Sequence, residues 1–124
     1  MTTPCLRILL IEDSADDAEL ITIELAQAGL DFELHRVELR TELEAALECG
    51  DWALAICDSR LPGFNGIDAY AQVRERLPSL PFIFCIGGPP DDPCFATAAA
   101  SADACISKDR LSQLPATVLG VLAA

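Results

Sequence analysis

Four charged residues stand where apolar runs of this chain end. Glu12 and Asp13 follow residues 6–11, Asp58 follows residues 52–57, and Lys108 follows residues 104–107. Carboxylates gathered in one crevice repel each other and raise each other's pKa values unless a cation joins them. Hard oxygen donors of this kind suit Mg²⁺, which takes one or two carboxylates, several waters and a phosphate oxygen. Lys108 is the only lysine of the chain, and an ammonium at the rim of an acidic site pairs with a carboxylate or with an incoming phosphoryl oxygen. Together these are the parts of a phosphoryl-transfer site. Metal and lysine neutralise charge on the moving group, while one carboxylate, from among Glu12, Asp13 and Asp58, is the nucleophile.

The elements that must bring these residues together alternate along the chain. Residues 6–11 form a nearly continuous apolar run, the pattern of a strand buried on both faces. A helix is predicted over 14–28, with Ala18, Ile21, Leu25 and Ala28 inward and Gly29 as its stop. Residues 32–37 form a more polar second strand nearer an edge, and 41–49 a short helix with Leu43, Ala46 and Leu47 inward. Residues 52–57 are the third strand, with Trp52 packing at the end far from Asp58, about 20 Å away. Turn residues fill 61–66, a third helix runs over 67–77, and 81–86 is the fourth strand. Asp92 and Pro93 read as the N-cap and first position of an alanine-rich fourth helix through Ala102. Residues 104–107 are the fifth strand. The last helix covers 111–122, and Pro115 means that it either kinks or properly begins there.

Five β-α units imply one α/β domain: a parallel sheet with helices on both faces, in the flavodoxin-like order 2-1-3-4-5. The domain is expected to span residues 1–124, with its core over about 6–122. In such sheets the ligand site lies beyond the carboxyl ends of the strands where strand order reverses, here between the first and third strands. Those two strands end at Glu12-Asp13 and at Asp58.

Composition narrows the rest. Hydrophobic residues make up 52% of the 124, too many for a disordered chain even at a formal charge of −12. Eight basic residues against twenty acidic ones leave no cluster for a nucleic-acid backbone, so no direct nucleic-acid contact is expected. No apolar run is long enough to enter a membrane, and no secretory leader is evident, so a cytoplasmic location is expected. The six cysteines contain no C-x-x-C pair and the single histidine, His35, stands apart. Cys5, Cys57, Cys85 and Cys105 lie in or beside apolar runs, where free thiols act as small buried hydrophobes. Asp16, Asp17 and Glu19 read as first-turn acids of a capped helix rather than as part of the acidic site.

Ile-Glu-Asp-Ser at 11–14, Cys-Asp-Ser-Arg-Leu-Pro-Gly-Phe-Asn-Gly at 57–66 and Ser-Lys-Asp at 107–109 resemble the response regulator receiver domain of bacterial two-component signalling. The resemblance implies that Asp58 is a phosphoacceptor fed from a phosphohistidine on a histidine kinase or histidine phosphotransfer protein. It implies Mg²⁺ bound by Asp13 and Asp58 directly, by Glu12 through water and by the backbone carbonyl of Arg60, with Lys108 on the phosphoryl group. It also implies a monomer or weak homodimer that is no enzyme beyond its own phosphorylation and dephosphorylation. Its output would pass to a downstream protein target or a fused output domain. No effector domain follows in this chain, so output is expected through protein contact, by resemblance on the fourth and fifth helices and fifth strand.

Two positions depart from the family pattern. Counting along the fourth strand puts Ile86 where a Ser or Thr hydroxyl is usual, and counting back from Lys108 puts Cys105 where an aromatic ring is usual. Ile86 has no hydroxyl to donate and Cys105 no ring to rotate. Two functional expectations follow. Either Asp58 is phosphorylated and the signal leaves by another route, with the N–H groups of Gly87 and Gly88 as a small anion nest, or the domain is a degenerate receiver that docks or dimerises without phosphorylation. An irregular loop is the plainer account of Gly87 and Gly88. A flavin site would need a Ser/Thr/Gly-rich phosphate loop where Glu12-Asp13 stand, and no histidine or serine constellation supports a hydrolase.

Overall fold

The computed structural model describes residues 5–58, 66–86 and 102–123. Within them the strands are β1 (Leu6–Ile11), β2 (Phe32–Val37), β3 (Leu54–Asp58), β4 (Phe82–Ile86) and β5 (Ala104–Ser107). The helices are α1 (Ala15–Gln27), α2 (Arg40–Cys49), α3 (Gly66–Arg76) and, after a 3-10 turn over Lys108–Gln113, α4 (Leu114–Ala123). Of the expected turn over 61–66 only Gly66 is described, and it opens α3 instead. Of the expected helix over 92–102 only Ala102 is described, and the nest residues Gly87 and Gly88 lie outside the described residues.

All five strands pair in parallel in the order β2-β1-β3-β4-β5. Alternate residues of the central strands serve two cores. Leu9, Ile11, Ala55, Cys57, Phe82 and Phe84 pack with α2 and α3. Ile8, Leu10, Leu54, Ile56, Ile83 and Cys85 pack with α1 and α4. Every residue of β3 is buried, which is why its sequence reads as an unbroken apolar run ending in a single acid. The polar β2 is an edge strand, where one face meets water.

Local chemistry sets the element ends. Ser14 caps α1 by accepting from the Asp17 N–H at 3.2 Å, and Gly29, at φ +80°, lets the chain leave it. Glu42 caps α2 by accepting from the N–H groups of Glu38 and Leu39 at 3.2 and 3.0 Å. Pro115 resolves as the second residue of α4, where its missing N–H costs no helical bond. Three placements differ from expectation. Ala28 is the exposed C-cap of α1 rather than part of its inner face. Trp52 stands just ahead of β3, its indole N–H donating to the Ala46 carbonyl at 2.8 Å and the Arg7 guanidinium 4.6 Å from its ring. Among the cysteines, Cys57 and Cys85 are buried but Cys5, just ahead of β1, and Cys105, on the edge strand β5, are exposed.

At the end of the sheet away from Asp58, Asp103 ties three elements together. Its Oδ2 accepts from the buried Phe82 N–H at 2.8 Å and from Arg74 of α3 at 2.8 Å. Arg74 in turn donates to the carbonyls of Pro78 and Leu80. Replacing Asp103 by Ala leaves a buried backbone donor without its acceptor, so urea unfolding should show a loss of about 1–3 kcal/mol. Replacing Asp51, the exposed partner of Arg7 at 3.5 Å, should change stability by less than about 0.5 kcal/mol.

Burial pushes the Cys57 thiol well up, and that of Cys85 up to about 12. Alkylation of the native protein at pH 8.5, followed by peptide mapping, is therefore expected to modify Cys5, Cys49 and Cys105 while sparing Cys57 and Cys85 until denaturant is added.

Candidate functional site

The carboxyl ends of β1 and β3 meet at the expected crevice. Ile11 pairs with Cys57, which sets Glu12-Asp13 beside Asp58. One carboxylate oxygen from each of Glu12, Asp13 and Asp58 lies within 4.8 Å of the others. Glu12 is fully buried and Asp58 nearly so, whereas Asp13 faces the solvent side of the cluster. The backbone at Glu12 is held from both sides. Its N–H donates to the Val37 carbonyl at 3.0 Å, and its carbonyl accepts from Arg36 at 3.2 Å.

Lys108 enters from the end of β5. Its ammonium lies 3.2 Å from Glu12 Oε2 and 3.2 Å from Asp58 Oδ2. Its shortest contact is neither of these. Asp17 Oδ2 of α1 accepts from it at 2.6 Å, so Asp17 belongs to the site, contrary to its expected role as a first-turn acid alone. Asp17 takes part in the cap through its backbone N–H, which leaves its carboxylate available to Lys108. A sequence cue existed: Asp17, Ile21 and Leu25 share one face at i, i+4 and i+8, and the latter two are core residues. Asp17 thus continues the buried stripe of α1 up to the site.

One ammonium among four carboxylates cannot neutralise them. Burial pushes the Glu12 carboxyl up to about 7 and Asp58 adds to the rise, while the bond from the Ser14 N–H and the Lys108 charge pull it down. Burial works against the Lys108 charge, but the bond to Asp17 and the charges of Asp58 and Glu12 outweigh it and raise the lysine pKa. Glu12 Oε1 accepts from Ser14 N–H at 3.1 Å. Oε2, though near the ammonium, makes no hydrogen bond among the described residues. A buried carboxylate oxygen left over in an all-oxygen, negatively charged cluster fits a hard divalent cation such as Mg²⁺. Arg60, whose carbonyl was expected to join that set, lies outside the described residues.

The two atypical positions are also resolved. Ile86 closes β4 opposite Ser107 and packs, half-buried, on the core beneath α3. Cys105 sits opposite Phe84 and is exposed. Aromatic volume on this face comes instead from Tyr70 of α3, whose ring centroid lies 5.0 Å from Phe82 and 5.7 Å from Phe84. Nothing in the helix pattern of 67–77 distinguished Tyr70 from an ordinary packing residue.

The response regulator receiver domain family matches residues 8–118 of the chain, a span that contains all four site carboxylates and Lys108. No curated protein sequence matches. Among solved structures, the signal receiver domain of an HD domain-containing protein from Pseudomonas fluorescens Pf-5 superimposes with a TM-score of 0.84 at 22% identity, over 99% of this chain and 90% of that one. A response regulator receiver domain protein from Clostridium thermocellum gives 0.79 at 21%, over 95% and 94%. The phosphorylated cyanobacterial phytochrome response regulator RcpA gives 0.75 at 25%, over 95% and 91%.

The charge imbalance predicts an unusual response to substitution. Glu12→Gln keeps the shape and the acceptor for Ser14 N–H, and leaves Lys108 with Asp17 and Asp58. In EDTA at pH 8 it should stabilise the fold by about 1–2 kcal/mol, a rise of several degrees in Tm. A carboxyl whose folded pKa is raised lends stability that is full below its ordinary 4.5 and is lost as pH climbs through about 7. The gap between variant and parent in thermal melts should therefore narrow as pH falls towards 4.5. No gain at pH 8 would refute the account of Glu12 as an excess buried charge.

Proposed function

Because the chain belongs to the response regulator receiver domain family, we propose that it takes a phosphoryl group on Asp58 from a phosphohistidine donor in two-component signalling. The observation that carries this is the lysine ammonium 3.2 Å from Asp58 Oδ2 at the mouth of the acidic crevice. One Asp58 oxygen attacks phosphorus, and the bond from phosphorus to the donor's imidazole nitrogen breaks. The electron pair leaves with that nitrogen, and the product is an acyl phosphate. Lys108, with its three N–H donors, meets oxygens of the transferred group and balances their charge. Glu12, Asp13 and Asp58 are the side chains that would hold Mg²⁺. When bound, the ion offsets charge among these carboxylates and on the phosphoryl oxygens.

Asp58 is nearly buried, which limits the access of water to the acyl phosphate. The donor is a histidine kinase or histidine phosphotransfer protein, and the phosphorylated form acts by contact with a downstream protein or an attached output domain. The chain turns over no separate substrate; it catalyses its own phosphorylation and dephosphorylation. Among the described residues no helix is long and apolar enough to cross a membrane, in keeping with a cytoplasmic place for this exchange. With Ile86 and Cys105 at the usual switch positions, the response to phosphorylation does not run through a hydroxyl on β4 and a ring on β5.

Intact-mass spectrometry after treatment with acetyl phosphate and Mg²⁺ tests the proposal. The expected result is one added phosphoryl group, about 80 Da by the mass of HPO₃, that is lost with Asp58→Asn and when EDTA replaces Mg²⁺. An unchanged mass in the parent protein would point to a docking module that works without phosphorylation.

A further inference from the structure

We propose that Asp17 is a positioning residue that restrains phosphorylation by holding the Lys108 ammonium away from the group entering on Asp58. The inference rests on the phosphoacceptor role proposed above. Among the described residues three oxygens share the ammonium, and the distances rank them: 2.6 Å to Asp17, against 3.2 Å to each of Glu12 and Asp58. A 2.6 Å contact between ammonium and carboxylate is at the short, strong end of charge-assisted bonds. The pair is sheltered, with side chains 18% and 33% exposed for Lys108 and Asp17, so salt screens it less than a surface pair. Asp17 is also firmly placed. Its N–H is fixed by Ser14 Oγ at 3.2 Å, and the next residue, Ala18, is in the core.

Asp17 stands outside the group of three carboxylates that gather to fit a cation. Its charge is therefore directed at the lysine, and it opposes the phosphoryl group in two ways. It engages one of the three N–H donors of Lys108 in its shortest contact, and it adds a negative charge near the path of an anionic donor. For Lys108 to meet a phosphoryl oxygen at full strength, the contact with Asp17 must lengthen or be shared. Asp16, its neighbour in the same helical turn, is exposed and makes no contact with the ammonium. It carries the same charge without the restraint, which makes it the natural control.

Asp17→Asn keeps the side-chain shape and the backbone cap but offers Lys108 only a neutral acceptor. Measured with acetyl phosphate and Mg²⁺ by intact mass over time, its second-order phosphorylation rate constant should rise about three- to tenfold. Asp16→Asn should stay within about twofold of the parent. Asp17→Glu, which restores the charge, should return the rate towards that of the parent. A spectroscopic reading accompanies the kinetics. Because Lys108 is the only lysine, protein carrying ¹³C,¹⁵N-lysine reports it as a single side-chain spin system. That resonance should move in Asp17→Asn and hold still in Asp16→Asn. Asp17→Ser serves as a second charge-removing variant if Asp17→Asn does not fold.

An equal or slower rate in folded Asp17→Asn, alongside a parent protein that phosphorylates, overturns the restraint and leaves the phosphoacceptor role intact. The same acceleration in Asp16→Asn also overturns it, by assigning the effect to net charge. No phosphorylation of the parent protein removes both proposals, whatever the lysine resonance does.

Discussion

Among the described residues, positive charges are too few for the negative ones, and the site is built on that condition. Glu12 is buried without enough partners, Asp58 lies beside it, and a single ammonium reaches across from β5 to both and to Asp17. In a solvated surface cluster such an imbalance would be screened within a Debye length. Below the rim of a parallel sheet it is not, and the surplus appears as a Glu12 carboxyl that resists ionising. A site with this surplus is receptive to a divalent cation, and Lys108 there faces competing demands. Both properties come from one arrangement.

That arrangement needs a rigid floor. The two cores on either side of the sheet fix the strands that deliver the charges, and residue parity along each strand fixes which core each side chain joins. Cys57 and Cys85 illustrate the constraint: adjacent strands carry them, yet they point into opposite layers. At the other end of the sheet the Asp103–Arg74 link locks β4, β5 and α3 to one another. Register is thus held at the amino ends, while the charged site lies beyond the carboxyl ends, where ligands of open α/β sheets bind.

The face beside β4 and β5 carries Ile86 and Cys105, the two positions that the sequence marks as unlike the family's usual pattern. Ile86 contributes packing, Cys105 is exposed, and aromatic bulk is supplied by Tyr70 against Phe82 and Phe84. Tyr70 is itself tethered, its hydroxyl accepting from Arg74 at 3.2 Å. A ring fixed by α3 and by the Arg74 network is poorly suited to swing towards the site.

The sequence by itself determined the five strands, their order and the meeting of Glu12, Asp13, Asp58 and Lys108. Strands buried on both faces must be apolar throughout, and crossover handedness leaves few ways to order them. Element ends followed to within a few residues, because serine, glycine and proline have strong local preferences. Trp52 was counted into β3 and Ala28 into the inner face of α1, since apolar character alone does not separate a strand from the residue before it or a helix from its cap. Only the tertiary structure decided the exposure of Cys5 and Cys105 and the start of the last helix at Leu114, one residue before Pro115. It alone paired Lys108 with an acid ninety-one positions away. First-turn acids look alike in sequence; which of them faces a lysine depends on the rotation of α1 about its axis, and that is set by how Ala18, Ile21 and Leu25 pack on the sheet.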